Sequence, residues 1–305
     1  MIEKITPPDL QQTDTLLSDL FKEVQKWEGS LAGGTKLGVG AEAINNLLET
    51  KVSFGNPKDR LILLTEETFK NSGTELNDIY KQQMRDQYEF YYMIFSVDLI
   101  PKAATRFWRL TCQLDFTPKG EQEPIVQAIF PTDKWRAVMN FGVGMDVSLN
   151  GNLDWIAGVD SSQLPAFTEL LPGELKANVV NKDEFKGFIT IPAFKYELGH
   201  PEILAVGENN SFCYWRIQDQ ELQKVGTAKF SIVFKVPKDT ESINLEGIAW
   251  AEPKINWLAA EIGDVLKEIP FKFRSLLSQD AAASKLARVA VEKWTLNLPH
   301  RTIDS

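Results

Sequence analysis

Cysteine and histidine are scarce in this chain, with two of each among 305 residues. Cys112 and Cys213 are too few for a disulfide framework, and each lies in a strand-like run beside large apolar neighbours, so both read as core thiols. His200 sits in a Gly199-His200-Pro201 turn and His300 follows Pro299. No His-x-x-x-His, Glu-x-x-His or Cys-x-x-Cys spacing occurs, so no local set of ligands could hold zinc. A thiol paired with His200 would have to ionise in apolar surroundings, which disfavour the thiolate. No catalytic, cofactor-binding or metal residue is assigned, and no cofactor is expected.

Positive charge is also in short supply. The net charge is −9 and the pI near 5.0, which argues against a nucleic-acid partner, because phosphate contacts need a field of Lys and Arg. The segment after Pro270 departs from the rest. It holds six basic residues, Lys272, Arg274, Lys285, Arg288, Lys293 and Arg301, against the three acids Asp280, Glu292 and Asp304.

Long apolar runs are missing as well. No uninterrupted stretch of about 18 apolar residues occurs, and Met1 to Asp14 has no apolar segment behind a basic cluster. A soluble, cytoplasmic protein in a reducing compartment is the expectation, and Asn209-Asn210-Ser211 then matches a glycosylation signal by chance.

What is present is ordinary globular material: 43% hydrophobic and 25% charged residues, with 18 Phe and 8 Trp. A chain of this length buries a core without staples.

The clearest local pattern runs from Trp135 to Val159. Met139, Phe141, Val143, Met145, Val147 and Leu149 alternate with Asn140, Gly142, Gly144, Asp146 and Ser148. That is the period of a half-buried strand. Asn150, Gly151 and Asn152 form a turn cluster, and Leu153, Trp155, Ala157 and Val159 resume the apolar face, which predicts a β-hairpin.

Around it, Pro7 and Pro8 open a helix with the stripe Leu10, Leu17, Leu20, Phe21, Val24 and Trp27, closed by Gly29. Arg60 to Thr65 reads as a short strand, and Leu76, Ile79, Tyr80, Met84 and Tyr88 as a helix. From Tyr88 to Trp250 the chain alternates with period two. The runs from Tyr91 to Leu99 and from Trp108 to Phe116 read as antiparallel neighbours. Two stripes, Ile255 to Leu266 and Leu286 to Trp294, predict a closing helical pair.

The expected architecture is α+β: an antiparallel β-sandwich or barrel-like central body with N- and C-terminal helices packed on it. Its regions are 1–87, mainly helical; 88–250, β-rich and readable as two related halves joined near 160–173; and 251–305, helical.

Two glycine motifs fail on inspection. Gly29 to Lys36 has the spacing of a phosphate loop, but Thr35 precedes Lys36 and an amphipathic helix stands where a buried strand is required. Gly38, Gly40 and Ala43 match Gly-x-Gly-x-x-Ala, yet no strand precedes them, and a flexible or close-packed glycine loop is the better reading. Asp146, Asp154 and Asp160 cluster in the hairpin region and read as solvated strand faces.

By elimination, the expectation is a non-enzymatic protein that binds other protein subunits, itself included, as part of an assembly. Tyr88, Tyr91, Trp108, Trp135, Lys285 and Arg288 are its candidate interface residues, because Tyr and Trp join apolar area to a polar tip. One alternative is a membrane-active protein that inserts the 135–159 hairpin or docks its basic tail. Another is an enzyme or small-molecule binder with a site assembled from distant residues.

Overall fold

The computed structural model describes residues 5–32, 38–67, 78–130, 138–140, 188–190 and 202–300. The long alternating runs form two five-stranded antiparallel sheets. The first has the order β1 (Lys51–Phe54), β3 (Tyr88–Ile100), β10 (Thr227–Pro237) and β5 (Ile125–Phe130), with β2 (Leu61–Leu64) also paired to β3. The second has the order β12 (Arg288–Asn297), β11 (Ser242–Pro253), β4 (Phe107–Thr117), β9 (Phe212–Gln218) and β8 (Glu202–Val206).

Alternation decides which face is buried. Tyr91, Met93, Phe95, Val97 and Leu99 of β3 point into the sandwich, as do Leu110, Cys112, Leu114 and Phe116 of β4. Rings interlock across the two sheets: Trp215 lies 5.6 Å from Phe95 and 5.0 Å from Phe230, and Phe116 lies 5.1 Å from Phe234. These centroid separations suit offset and edge packing. Among the described residues the body is a sandwich with no closed barrel.

Helix α1 (Leu10–Ala32) buries Leu17, Leu20 and Val24 and packs on α2 (Val39–Glu49) and on β12. It continues through Gly29, which was expected to end it. Helix α3 (Asp78–Asp86) covers part of the outer face of the first sheet, where Tyr80 meets Phe90 edge-on at 6.1 Å and Met84 joins a smaller second core with Ile62, Leu64 and Tyr92. Two short helices, α4 (Ile255–Glu261) and α5 (Phe271–Leu276), follow β11.

Two expectations need correction. β3 and β4 are not paired neighbours: each belongs to a different sheet, because both turn their apolar face inward and meet across the core. The stripe from Leu286 to Trp294 is not a helix. It runs into β12, whose backbone pairs with β11 from Arg288 opposite Ala251 to Asn297 opposite Ser242. Val289, Val291 and Thr295 are β-branched and suit that edge position, so a helical spacing of apolar residues lost to tertiary pairing.

The expected hairpin from Trp135 to Val159 falls outside the described residues except for 138–140. The turn at Asn150 to Asn152 and the 160–173 connection lie outside the described residues. The part that is described, β6 (Val138–Asn140), pairs with β7 (Phe188–Thr190), placing Met139 opposite Ile189.

Sheet topology gives the body two distinct ends. The loops 101–106 and 219–226, Pro253 at the end of β11 and Arg288 at the start of β12 all lie at one end. Strand β5 runs toward this end, and β8 begins there with Glu202 opposite Gln218. Residues 131–201 therefore connect a strand heading for that end to a strand that starts from it.

Candidate functional site

The end of the body that holds Pro253 and Arg288, called the exit end below, carries the most concentrated buried charge among the described residues. Between Glu252 and Pro253 the register of β11 against β4 shifts, so that Arg109 faces Glu252 and Phe107 faces Pro253, with Trp108 bulged between them. A bulge re-aims side chains. Here it lays the Arg109 guanidinium 3.9 Å from the centre of the Trp108 ring.

Arg109 Nη1 also donates to Glu252 Oε2 at 3.3 Å, and Arg109 Nε and Nη2 donate to Gln218 Oε1 at 3.3 and 3.1 Å. Trp250 Nε1 donates to the other Glu252 oxygen at 3.1 Å. Glu252 is buried, and desolvation pushes its carboxyl above the ordinary 4.5, with Arg109, Trp250 and Arg216 opposing. Desolvation also lowers Arg109. Such a cluster orders three strands and offers no open substrate position, so its evident role is to brace the end of the sheet.

The other chemistry-bearing groups are equally closed. Burial raises both Cys112 and Cys213, which keeps them as thiols. His300 Nδ1 lies 3.3 Å from Glu89 Oε2, and the Tyr91 hydroxyl donates to the same oxygen at 2.8 Å. A cavity of about 40 Å³ beside that trio includes Glu89 and Tyr88 in its lining. A wider groove of about 300 Å³ crosses β4, β11 and β12 at the far end, past Asp115, Asn244, Glu246 and Lys293. Its charges are engaged with each other and with Lys119. Among the described residues no group of three His, Cys, Asp or Glu is placed to hold a metal. His200, Asp146, Asp154 and Asp160 lie outside the described residues.

The pseudo-dinucleotide motif has a structural explanation. Glu28 on α1 accepts from Gly40 N at 2.8 Å and from Ala41 N at 3.0 Å, so the first turn of α2 is capped by the chain's own carboxylate. Phosphate has no vacancy there. Gly29 to Ala32 of the other motif are helical, and Gly33 to Lys36 lie outside the described residues.

The candidate interface residues are not gathered in one place. Tyr88 lies opposite Pro237 at the far end of the first sheet, with Lys235 Nζ 4.4 Å from its ring centre. Tyr91 is fully buried and stacks on Phe234. Trp108 is half-buried at the exit end, Lys285 is exposed, and Arg288 is held by the Thr50 carbonyl and by Asp14. Trp135 lies outside the described residues. The Arg109, Glu252 and Gln218 cluster was missed in the sequence, because its members come from three strands far apart in the chain. The period-two pair Trp250 and Glu252 is the only local trace of it.

Among the described residues no helix is long and apolar enough to cross a membrane, which leaves strands out of account. No protein-family model and no curated protein matches the sequence. Solved structures give low-scoring likenesses. A pore forming protein has a TM-score of 0.34 at 8% identity, covering 67% of this chain and 78% of that one. The Clostridium perfringens delta-toxin scores 0.30 at 9% identity over the same shares of the two chains, 67% and 78%. The NetB toxin of that organism, in its membrane inserted form, scores 0.24 at 8% identity, covering 55% and 73%. Scores this low assign neither fold nor function to the present chain.

Proposed function

We propose that the protein is membrane-active: that several copies assemble on a bilayer and each contributes a β-hairpin drawn from residues 131–201. The observation that carries this reading is the antiparallel pairing of Met139 with Ile189, which clasps the two ends of a stretch whose first strand alternates apolar with small or polar residues.

Residues directly opposite on an antiparallel pair share a face. If the strand continues past Asn140, Phe141, Val143, Met145, Val147 and Leu149 would follow by alternation on the Met139 and Ile189 side of the clasp. The run from Met139 to Leu149 suits the roughly 9–11 residues of a membrane-crossing strand. The apolar face would meet lipid, and Asn140, Gly142, Gly144 and Asp146 would line water.

A single inserted hairpin leaves two unpaired edges in hydrocarbon, where each unsatisfied backbone group costs several kcal/mol. Closure by further copies removes those edges. The expected protein partner is on this reading a second copy of the same chain, which unites the assembly reading with the membrane one.

The test is dye release from liposomes. The wild type is expected to release dye and to cross-link into oligomers on the vesicles. Val143→Arg, which puts a charge on the lipid face at a cost of about 2–4 kcal/mol per strand, is expected to cross-link and not to leak. A wild type that never releases dye, or a Val143→Arg variant that leaks as fast as the wild type, overturns the proposal.

A further inference from the structure

Segment 254–287 leaves β11 at Pro253 and returns to β12 at Arg288, so both of its feet stand on the exit end, the end from which the proposed hairpin departs. Within it, Phe271 is the most exposed of the large apolar side chains among the described residues, at 74%. Its setting is not loose. Ile269, Phe273, Leu276 and Leu277 are buried on either side of it, and Phe273 N and Arg274 N both bond the Pro270 carbonyl. A rigid turn therefore holds an aromatic ring out in water.

The charges around it are mostly of one sign. From 267 to 274 the exposed side chains are Lys267, Glu268, Pro270, Phe271, Lys272 and Arg274. Three cations stand against one acid, in a chain that is net acidic. The Arg274 guanidinium is 6.0 Å from the Phe271 ring centre and donates to the Lys267 carbonyl at 3.3 Å, while Lys272 Nζ lies 4.5 Å from the Phe273 ring. Arg274 thus lies beside the exposed ring, with Lys267 and Lys272 exposed in the same short segment, a mixture of aromatic and basic groups that suits the boundary between headgroups and acyl chains.

Resting on the membrane-active reading, we propose that the Pro270 to Arg274 corner is where the protein first binds a bilayer: Phe271 enters the headgroup boundary while Lys267, Lys272 and Arg274 take the phosphates of anionic phospholipids. Each basic residue near an anionic surface contributes binding that falls off within a Debye length.

The full chain is sedimented with phosphatidylcholine vesicles, with and without phosphatidylserine, and dye release is followed in parallel. The wild type is expected to prefer the phosphatidylserine vesicles and to lose that preference in high salt. Lys272→Glu with Arg274→Glu is expected to weaken binding to them about tenfold or more, and Phe271→Ser to weaken binding to both compositions. All three positions are exposed, and unchanged thermal unfolding verifies the fold of the variants. Variants that bind as the wild type does overturn this assignment while a leaking wild type keeps the hairpin reading. Phe271-dependent binding with no leakage from the wild type does the reverse. A wild type that binds neither composition overturns both.

Discussion

The carboxylate of Glu28 grips the start of α2 through the amides of Gly40 and Ala41, and it comes so close to the glycine turn that a Cβ built on Gly38 would lie 2.4 Å from its carboxyl carbon. The two hydrogen bonds are charge-assisted and satisfy amides that have no partner within the helix. Shortening the side chain as Glu28→Ala should destabilise the protein by about 2 kcal/mol. Gly38→Ala alone should also destabilise, because the carboxylate must swing away. The double variant should cost clearly less than the sum, since the first change removes the group that the second would hit. Denaturant unfolding of the four proteins measures this, and additivity within about 0.5 kcal/mol would show that the contact does not matter.

Glu252 predicts a pH dependence. Burial raises its carboxyl above 4.5, so the folded state favours the protonated form. The stability that this contributes is fully present below the unfolded value and is lost as the pH climbs through the higher folded one. Glu252→Gln cannot titrate. Its stability relative to wild type should rise with pH from about 4.5 upward and then level off. A difference that stays flat across that window, or that falls with rising pH, would mean that Arg109 and Trp250 hold the carboxylate better than burial opposes it.

Cys112 and Cys213 point into the same core from neighbouring strands, and burial raises both thiols. Neither should react with an aromatic disulfide reagent at pH 8 while the protein is native, and both should react in denaturant. Labelling of the native protein at the rate of a free thiol would place one of them at the surface and contradict the packing of β4 against β9.

Much of the sandwich was legible from periodicity. The inward faces of β3 and β4 are the residues that alternation picks out, except Trp108, which the bulge leaves half-buried, and the stripe of α1 buries Leu17, Leu20 and Val24 as its spacing requires. Pairing was not legible. β3 and β4 carry the same inward pattern whether they lie side by side or face to face, and only the contacts of Phe95 with Trp215 and of Phe116 with Phe234 choose the second arrangement. The segment around Trp294 failed for a related reason. Its apolar spacing fits a helix, but β11 needed an edge partner, and a row of backbone hydrogen bonds outweighed a local preference.

The sequence by itself determined the faces: which side chains of each strand and helix are apolar, that both thiols are buried, that the glycine motifs lack the elements a nucleotide loop requires, and that a stretch near the middle alternates over the length of a bilayer. These are properties of neighbours in the chain, carried by side-chain period and turn chemistry. Only the tertiary structure decided that Met139 faces Ile189, that Glu28 fills the end of α2, that Glu252 meets Arg109 and that Phe271 stands exposed. Each of these relations except the last joins residues separated by many positions, and the last depends on what fails to cover a side chain. Neither kind of fact leaves a local trace, because each arises only when distant segments are packed together.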